Sequence, residues 1–193
     1  MNISTPVTKK TIFSNRIKQG FTLVELLVVI AIIAILAGIS LPVVSRALHN
    51  ANRAKAATEV KGLEAALLAF FNEYQRWPLD NGQPDRRYGM ANDNFDLINA
   101  LRAMGEGQNA GHVLNPRRLV FLEVNENSLD PQGNYMDPWN RPYVVAVDTN
   151  FDGNVNTQQS PWGLLERRTV AVWSWGRADM EEIVDDAITS WQR

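Results

Sequence analysis

A long apolar segment near the start of the chain dominates its hydrophobic pattern. From Leu26 to Val44 no side chain is charged, and Glu25 is the only ionisable residue between Phe21 and Val44. As a helix, residues 21–44 span about 36 Å, enough to cross the ~30 Å hydrocarbon core of a bilayer. A secretory signal peptide would instead have an apolar region of about 7–15 residues that ends at a small-x-small cleavage site. The pattern therefore predicts a transmembrane helix over residues 21–44.

Beyond the apolar segment the pattern changes to that of an amphipathic helix. Apolar positions recur at steps of three and four residues, with charged residues between them. Alanine dominates the early turns and aromatic residues the later ones, which suits a helix that packs first against neighbouring helices and later against its own domain. Trp77-Pro78 ends the predicted helix, because the residue before proline is driven out of helical geometry. The recurring positions are Ala47, Ala51, Ala54, Val60, Leu63, Leu67, Phe70 and Tyr74.

The remaining pattern predicts a small mixed domain. Residues 80–87 are polar and rich in turn formers, which predicts a loop, and residues 93–104 predict a short helix. Residues 120–124 either begin a strand or pack irregularly. Residues 143–147 and 169–175 are β-branched and aromatic, which predicts two strands paired antiparallel.

The predicted fold class is α+β, with a long N-terminal transmembrane and amphipathic helix packed on a small antiparallel sheet. We expect three parts: a leader over residues 1–20, the transmembrane half of the helix over 21–44, and a globular domain over 45–193. The chain of 193 residues contains no cysteine, so the domain has no disulfide.

The charges are distributed unevenly. The leader holds Lys9, Lys10, Arg16 and Lys18 and no acidic residue, which orients the N-terminus towards the cytoplasm. Removing these four from the 19 basic residues leaves 15, against 21 acidic residues, a net charge of about −6. A nucleic-acid-binding surface is not expected from such a balance.

The position of Glu25 is the most informative single feature. A carboxylate at membrane depth costs roughly 2.5–3.5 kcal/mol on insertion scales, and such residues pair with another group. The junction reads Gly20-Phe21-Thr22-Leu23-Val24-Glu25. The sequence therefore predicts that Glu25 has a functional partner.

This junction resembles the processing site of type IV pilins and of the pseudopilins of type II secretion. The resemblance implies that a prepilin peptidase cleaves between Gly20 and Phe21 and that Phe21 becomes the N-methylated terminus. It also implies that Glu25 neutralises the terminal amine of a neighbouring subunit during filament assembly. Pro42 lies where this family usually carries a proline that distorts the helix.

A second motif could bind a metal ion. Asp148, Asn150 and Asp152 place oxygen ligands at positions 1, 3 and 5 of a loop, with Gly153 at position 6, which is the spacing of the first half of an EF-hand calcium loop. Position 12 is Gln159 instead of glutamate, so a complete EF-hand is not expected. The two interpretations are a Ca²⁺ site completed by another segment and a tight Asx/Gly turn without metal.

Two further stretches resemble the major pseudopilin of type II secretion. The turn Asp137-Pro138-Trp139-Asn140-Arg141-Pro142-Tyr143 is similar to a signature of that domain, with Asn140 where glycine is usual, and is expected to seat Trp139 and Tyr143 in the core. The segment from Ser174 through 186 is loosely similar to its calcium-binding region, which implies Asp179 and Asp185 as weaker candidate ligands.

These features predict a structural protein, not an enzyme. His49 and His112 lie in unrelated contexts, and the chain has no phosphate loop or zinc spacing. The favoured function is the major pseudopilin of a type II secretion system, anchored by one pass in the inner membrane with its domain outside the cytoplasm. Its expected partners are copies of itself, other pseudopilins, the prepilin peptidase and membrane lipid. The alternatives are a type IV pilin for adhesion, motility or DNA uptake, and a membrane-tethered binding domain.

Overall fold

The structure, a computed structural model, describes residues 21–79, 85–90, 93–158, 162–177 and 187–191. The backbone divides at Ser45 into two compact units. One helix, α1, begins in the first unit and ends in the second. The elements in chain order are α1 (Leu23–Tyr74), β1 (Arg86–Tyr88), α2 (Phe95–Leu101), two 3₁₀ segments (Gly107–His112 and Glu126–Ser128), β2 (Val144–Val147), β3 (Asn154–Asn156), β4 (Leu164–Glu166), β5 (Val170–Ser174) and β6 (Ile188–Thr189).

The first unit contains the apolar part of α1. Its described side chains from Phe21 to Val44 are exposed, in keeping with a segment that has no polar face and buries nothing within its own unit. Within the second unit, Ala47, Ala51 and Ala54 are still exposed, and burial begins at Ala56. The expected packing of the later turns of α1 against their own domain is confirmed, and the packing of the earlier turns against neighbouring helices stays a prediction.

The core of the second unit lies between α1 and the sheet. Val60, Leu63, Leu67 and Phe70 of α1 are fully buried in one cluster with the inward side chains of β2 and β5. The hydroxyl of Tyr143, at the start of β2, donates to Oε2 of Glu59 on α1 at 2.6 Å. This contact ties the helix to the central strand.

The main sheet is antiparallel, in the order β1-β2-β5-β6. β2 and β5 pair from Val144 opposite Trp173 to Val147 opposite Val170. Both central strands are buried at every position, because α1 covers one face and a tryptophan-rich cluster with Val155 covers the other. Burial on both faces explains their almost continuous apolar sequence. The predicted α+β architecture and the pairing of these two strands are confirmed.

The prediction of a loop over residues 80–87 is wrong for its last two residues, Arg86 and Arg87. Arg86, Arg87 and Tyr88 form the edge strand β1, which pairs with β2. Nothing in Arg-Arg-Tyr alternates in polarity, so the strand is specified by its partner and by the buried Tyr88 ring, whose hydroxyl donates to the carbonyl of Leu79.

Two other predicted segments also differ from the structure. The predicted helix over 93–104 is shorter, Phe95–Leu101. Residues 120–124 do not form a strand: the N–H groups of Phe121 and Leu122 both donate to the carbonyl of Leu101, so the segment packs irregularly against the end of α2.

Asn94 joins three parts of the second unit. It is fully buried directly before α2, where its Nδ2 donates to the carbonyls of Tyr135 (3.1 Å) and Tyr143 (2.9 Å). Its Oδ1 accepts the N–H of Tyr135 at 2.8 Å. One amide side chain therefore satisfies backbone groups at the start of β2 and in the segment before it.

Candidate functional site

Glu25 closes a capping box at the start of α1. Its Oε2 accepts the N–H of Thr22 at 2.8 Å and the Thr22 hydroxyl at 2.7 Å, while the Thr22 hydroxyl oxygen accepts the N–H of Glu25 at 3.2 Å. This reciprocal arrangement satisfies donors that the first helical turn leaves free. Thr-x-x-Glu before an apolar run is a visible sequence signal for it, and the sequence analysis missed that role.

The surroundings of Glu25 leave its carboxylate available to another molecule. Phe21 is 73% exposed, and the described side chains from Leu23 to Val44 are exposed. Gly20, the predicted cleavage position, lies outside the described residues, and so does the basic leader. Among the described residues, α1 is the one helix long and apolar enough to cross a membrane, by length and composition.

The loop after β2 folds around its own side chains. Oδ2 of Asp148 accepts the N–H of Gly153 at 2.9 Å, and Oδ1 of Asp152 accepts the N–H of Asn154 at 2.8 Å. Nδ2 of Asn150 donates to Oδ2 of Asp152 at 3.0 Å. The three predicted ligand residues therefore lie in one loop. The hydrogen bonds that stabilise this loop are of the Asx type, and they are equally suited to a turn that binds no metal.

A fourth oxygen-bearing residue, Asp85, faces this loop and was missed by the sequence analysis. Oδ2 of Asp85 accepts the N–H of Asn156 at 2.8 Å. Burial raises the pKa of Asp85, the N–H of Asn156 opposes that shift, and the charges of Asp148 and Asp152 raise it again. Its position in a polar loop gave no local signal, because only the pairing of β1 with β2 brings it here.

The other predicted metal ligands, Asp179 and Asp185, lie outside the described residues. Gln159, at position 12 of the loop after β2, also lies outside them. Among the residues that are described, no three acidic, histidine or cysteine side chains already surround one point. The metal site therefore stays a prediction from the sequence at Asp179 and Asp185.

The turn before β2 is built around Asp137. Its Oδ1 accepts the N–H groups of Trp139 and Arg141, each at 2.9 Å, and its Oδ2 accepts the Ser174 hydroxyl. Asn140, which stands where glycine is usual in the resembled signature, adopts a left-handed φ of 63°, a conformation that asparagine tolerates. Tyr143 is fully buried as expected, whereas Trp139 is half-buried at the margin of the core.

Burial raises the pKa of the Asp137 carboxyl group, against the opposing effects of the Ser174 hydroxyl, the N–H groups of Arg141 and Trp139, and the Arg141 charge. The folded state therefore binds a proton more tightly than the unfolded chain, whose aspartate keeps its ordinary pKa. This contribution to stability is complete below the unfolded pKa and is lost as the pH rises through the folded pKa.

We expect wild type to lose stability relative to Asp137→Asn as the pH rises above the ordinary aspartate pKa of about 4, because the amide stays neutral. Urea unfolding of a fragment beginning at Arg46, followed by tryptophan fluorescence at several pH values, measures this difference. Asp96→Asn, at a half-buried carboxylate that accepts from Gln108, is the matched control. A gap between wild type and Asp137→Asn that is constant with pH would contradict the prediction.

Neither histidine forms part of a catalytic arrangement among the described residues. Nδ1 of His49 and Nδ1 of His112 are both buried without a hydrogen-bond partner. His49 packs beside Trp139, with ring centroids 6.3 Å apart.

Comparison with known proteins identifies the N-terminal part of the chain. Residues 15–41 match the family described as "Prokaryotic N-terminal methylation motif". The chain is 36% identical over 67 residues to the type IV major pilin protein PilE of Neisseria gonorrhoeae, a stretch that covers 35% of this chain and 40% of that protein. It is 36% identical over 66 residues to the fimbrial protein EcpC of Eikenella corrodens (34% and 43%), and 41% identical over 59 residues to the type IV major pilin protein PilA of Myxococcus xanthus (31% and 27%).

The similarity covers less than half of each of these relatives, and no solved structure matches the chain significantly. The matched methylation motif overlaps the apolar start of α1, and an α+β domain follows along the chain. These relatives are type IV pilins and fimbrial proteins, so they give no support to the narrower prediction of a major pseudopilin.

Proposed function

We propose that this protein is a structural subunit of a pilin-like filament, most similar to a type IV pilin. The observation that carries the proposal is the exposed apolar half of α1, which begins with a lone carboxylate inside the matched methylation motif. A helix that buries none of this surface in its own unit needs lipid or the helices of other subunits to cover it.

In this proposal the chain is made as a precursor and anchored in the inner membrane. The prepilin peptidase cleaves after Gly20 on the cytoplasmic side, and Phe21 becomes the methylated terminus. The domain beyond α1's membrane segment lies outside the cytoplasm, because the basic leader stays inside. The expected partners are the peptidase, membrane lipid, copies of this chain and related subunits.

Assembly then exchanges one partner of Glu25 for another. Before assembly the carboxylate accepts from Thr22 in its own chain. In the filament it neutralises the terminal amine of a neighbouring subunit, a pairing that is much stronger in an apolar surrounding than in water. The capping box keeps the Glu25 carboxylate hydrogen-bonded while the unassembled subunit is in the membrane.

The major pseudopilin of a type II secretion system is the second candidate. The turn around Asp137, with the buried Tyr143, is the feature that resembles that domain. The similarity of the N-terminal region to type IV pilins favours the first candidate over this one.

Deletion of the gene in its host distinguishes these candidates. A type IV pilin predicts loss of surface filaments in electron micrographs with an unchanged set of secreted proteins. Loss of secreted proteins with surface filaments intact would instead indicate the pseudopilin. If both stay normal and the protein never co-sediments with filaments, the filament proposal is wrong and a tethered binding domain takes its place.

A further inference from the structure

The backbone of the loop after β2 follows the course that a calcium loop requires. Position 1, Asp148, holds the N–H of position 6, Gly153, through Oδ2. Gly153 has φ 80° and Phe151, at position 4, has φ 59°, so the chain makes the sharp turns that bring positions 1, 3 and 5 to one side. By itself this geometry serves a metal-free turn equally well.

Asp85 supplies an observation that a turn does not explain. Its side chain is only 6% exposed, and its Oδ1 is buried without any hydrogen-bond partner. Arg86 pairs with Val147, so Asp85 lies beside the start of the loop at Asp148. A buried carboxylate oxygen without a partner is costly, and it faces the same loop as the two aspartates whose charges act on it.

The charges near this loop are unbalanced. Among the described residues, no ion pair joins Asp85, Asp148 or Asp152 to a lysine or arginine, although other carboxylates in the same unit have such partners. Buried charges in proteins are normally paired or coordinate a metal. Asp85 and Asp148 are buried and Asp152 is exposed, so two buried carboxylates without a basic partner among the described residues favour a bound cation.

We propose that Asp85 and the loop of residues 148–154 together bind one Ca²⁺ ion, with Asp85 in the place of the acidic residue that the loop itself lacks. Asp148, Asp152, the amide oxygen of Asn150 and the carbonyl of Asn154 provide the remaining protein oxygens. Ca²⁺ takes six to eight oxygen ligands in flexible geometry, whereas zinc prefers nitrogen and sulfur ligands, which are missing from this set.

Binding requires a local rearrangement. Because the described carboxylates do not surround one point, Asp152 must release the Asn150 amide and reorient before it can share an ion with Asp85 and Asp148. The site does not rest on the proposed filament function, and it is separate from Asp179 and Asp185.

The test uses the full chain in nonionic detergent, stripped with EDTA and titrated with CaCl₂ by calorimetry. We expect one ion per chain for wild type and a dissociation constant at least about tenfold higher for Asp85→Asn, because the number of charged ligands sets calcium affinity. In EDTA, Asp85→Asn should melt no lower than wild type. Its amide oxygen still accepts from Asn156, and it no longer repels the other two carboxylates.

The matched control is Asp130→Asn. Asp130 also accepts backbone N–H groups in a turn, from Gln132 and Asn134, but no second carboxylate is among the groups that shift its pKa. It should leave calcium binding unchanged. The proposal is overturned if wild type binds no Ca²⁺, or if Asp85→Asn binds it as tightly as wild type. A lower melting temperature of Asp85→Asn in EDTA, with unchanged binding, would assign Asp85 a purely structural role.

Discussion

Replacement of Glu25 by alanine is expected to abolish filament assembly while leaving cleavage between Gly20 and Phe21 largely intact. Removing one member of a buried ion pair leaves the other charge unpaired and costs about 3–5 kcal/mol. At 1.4 kcal/mol per factor of ten, each subunit contact becomes more than about a hundredfold weaker. Shearing of cells followed by immunoblotting measures assembled subunit, and the gel mobility of the membrane fraction reports cleavage.

The capping box requires a control, because Glu25→Ala also removes the hydrogen bonds to Thr22. Glu25→Gln keeps an acceptor for the helix cap but carries no charge, so it should fail to assemble as alanine does. Thr22→Val removes the side-chain part of the cap and keeps the carboxylate, so it should still assemble. Normal filaments from Glu25→Ala would contradict the proposed pairing. If Glu25→Ala and Thr22→Val lose filaments while Glu25→Gln keeps them, Glu25 acts in helix capping alone.

The parts of the fold that the sequence predicted are those with a local cause. The apolar segment and the three- and four-residue steps after it specify α1, since helical periodicity is contained within the helix itself. β2 and β5 were recognisable because burial on both faces demands an unbroken apolar run. The turn around Asn140 was recognisable because its sequence, with Pro138 and Pro142, resembles a known signature.

The parts that the sequence did not predict depend on distant residues. Arg86 and Arg87 become a strand only because β2 offers its free edge. That pairing also places Asp85 beside the loop at Asp148. Local spacing could therefore predict the loop residues of the candidate cation site, but not Asp85. The Glu25 cap was a different kind of omission, because its Thr-x-x-Glu signal was present in the sequence.

Asn94→Ala is expected to cause the largest loss of stability in the second unit. Asn94 is fully buried and makes three hydrogen bonds to backbone groups. Alanine leaves the N–H of Tyr135 and the carbonyl of Tyr143 without this partner, and each unsatisfied buried group costs about 1–3 kcal/mol. We therefore expect a loss of roughly 2–6 kcal/mol, a large share of the 5–15 kcal/mol typical of a whole domain. Urea unfolding of the fragment beginning at Arg46 measures it through tryptophan fluorescence.

Two further variants make the result specific to hydrogen bonding. Asn127→Ala removes an exposed asparagine and should change the free energy of unfolding by less than about 0.5 kcal/mol. Asn94→Asp keeps an acceptor for the Tyr135 N–H but loses both donated bonds, and it places a charge beside two carbonyl oxygens, so at pH 7 it should be at least as destabilising as alanine. If Asn94→Ala unfolds at the same urea concentration as Asn127→Ala, Asn94 does not hold α2 to the central strand, and packing of Leu97 and Leu101 alone must do so.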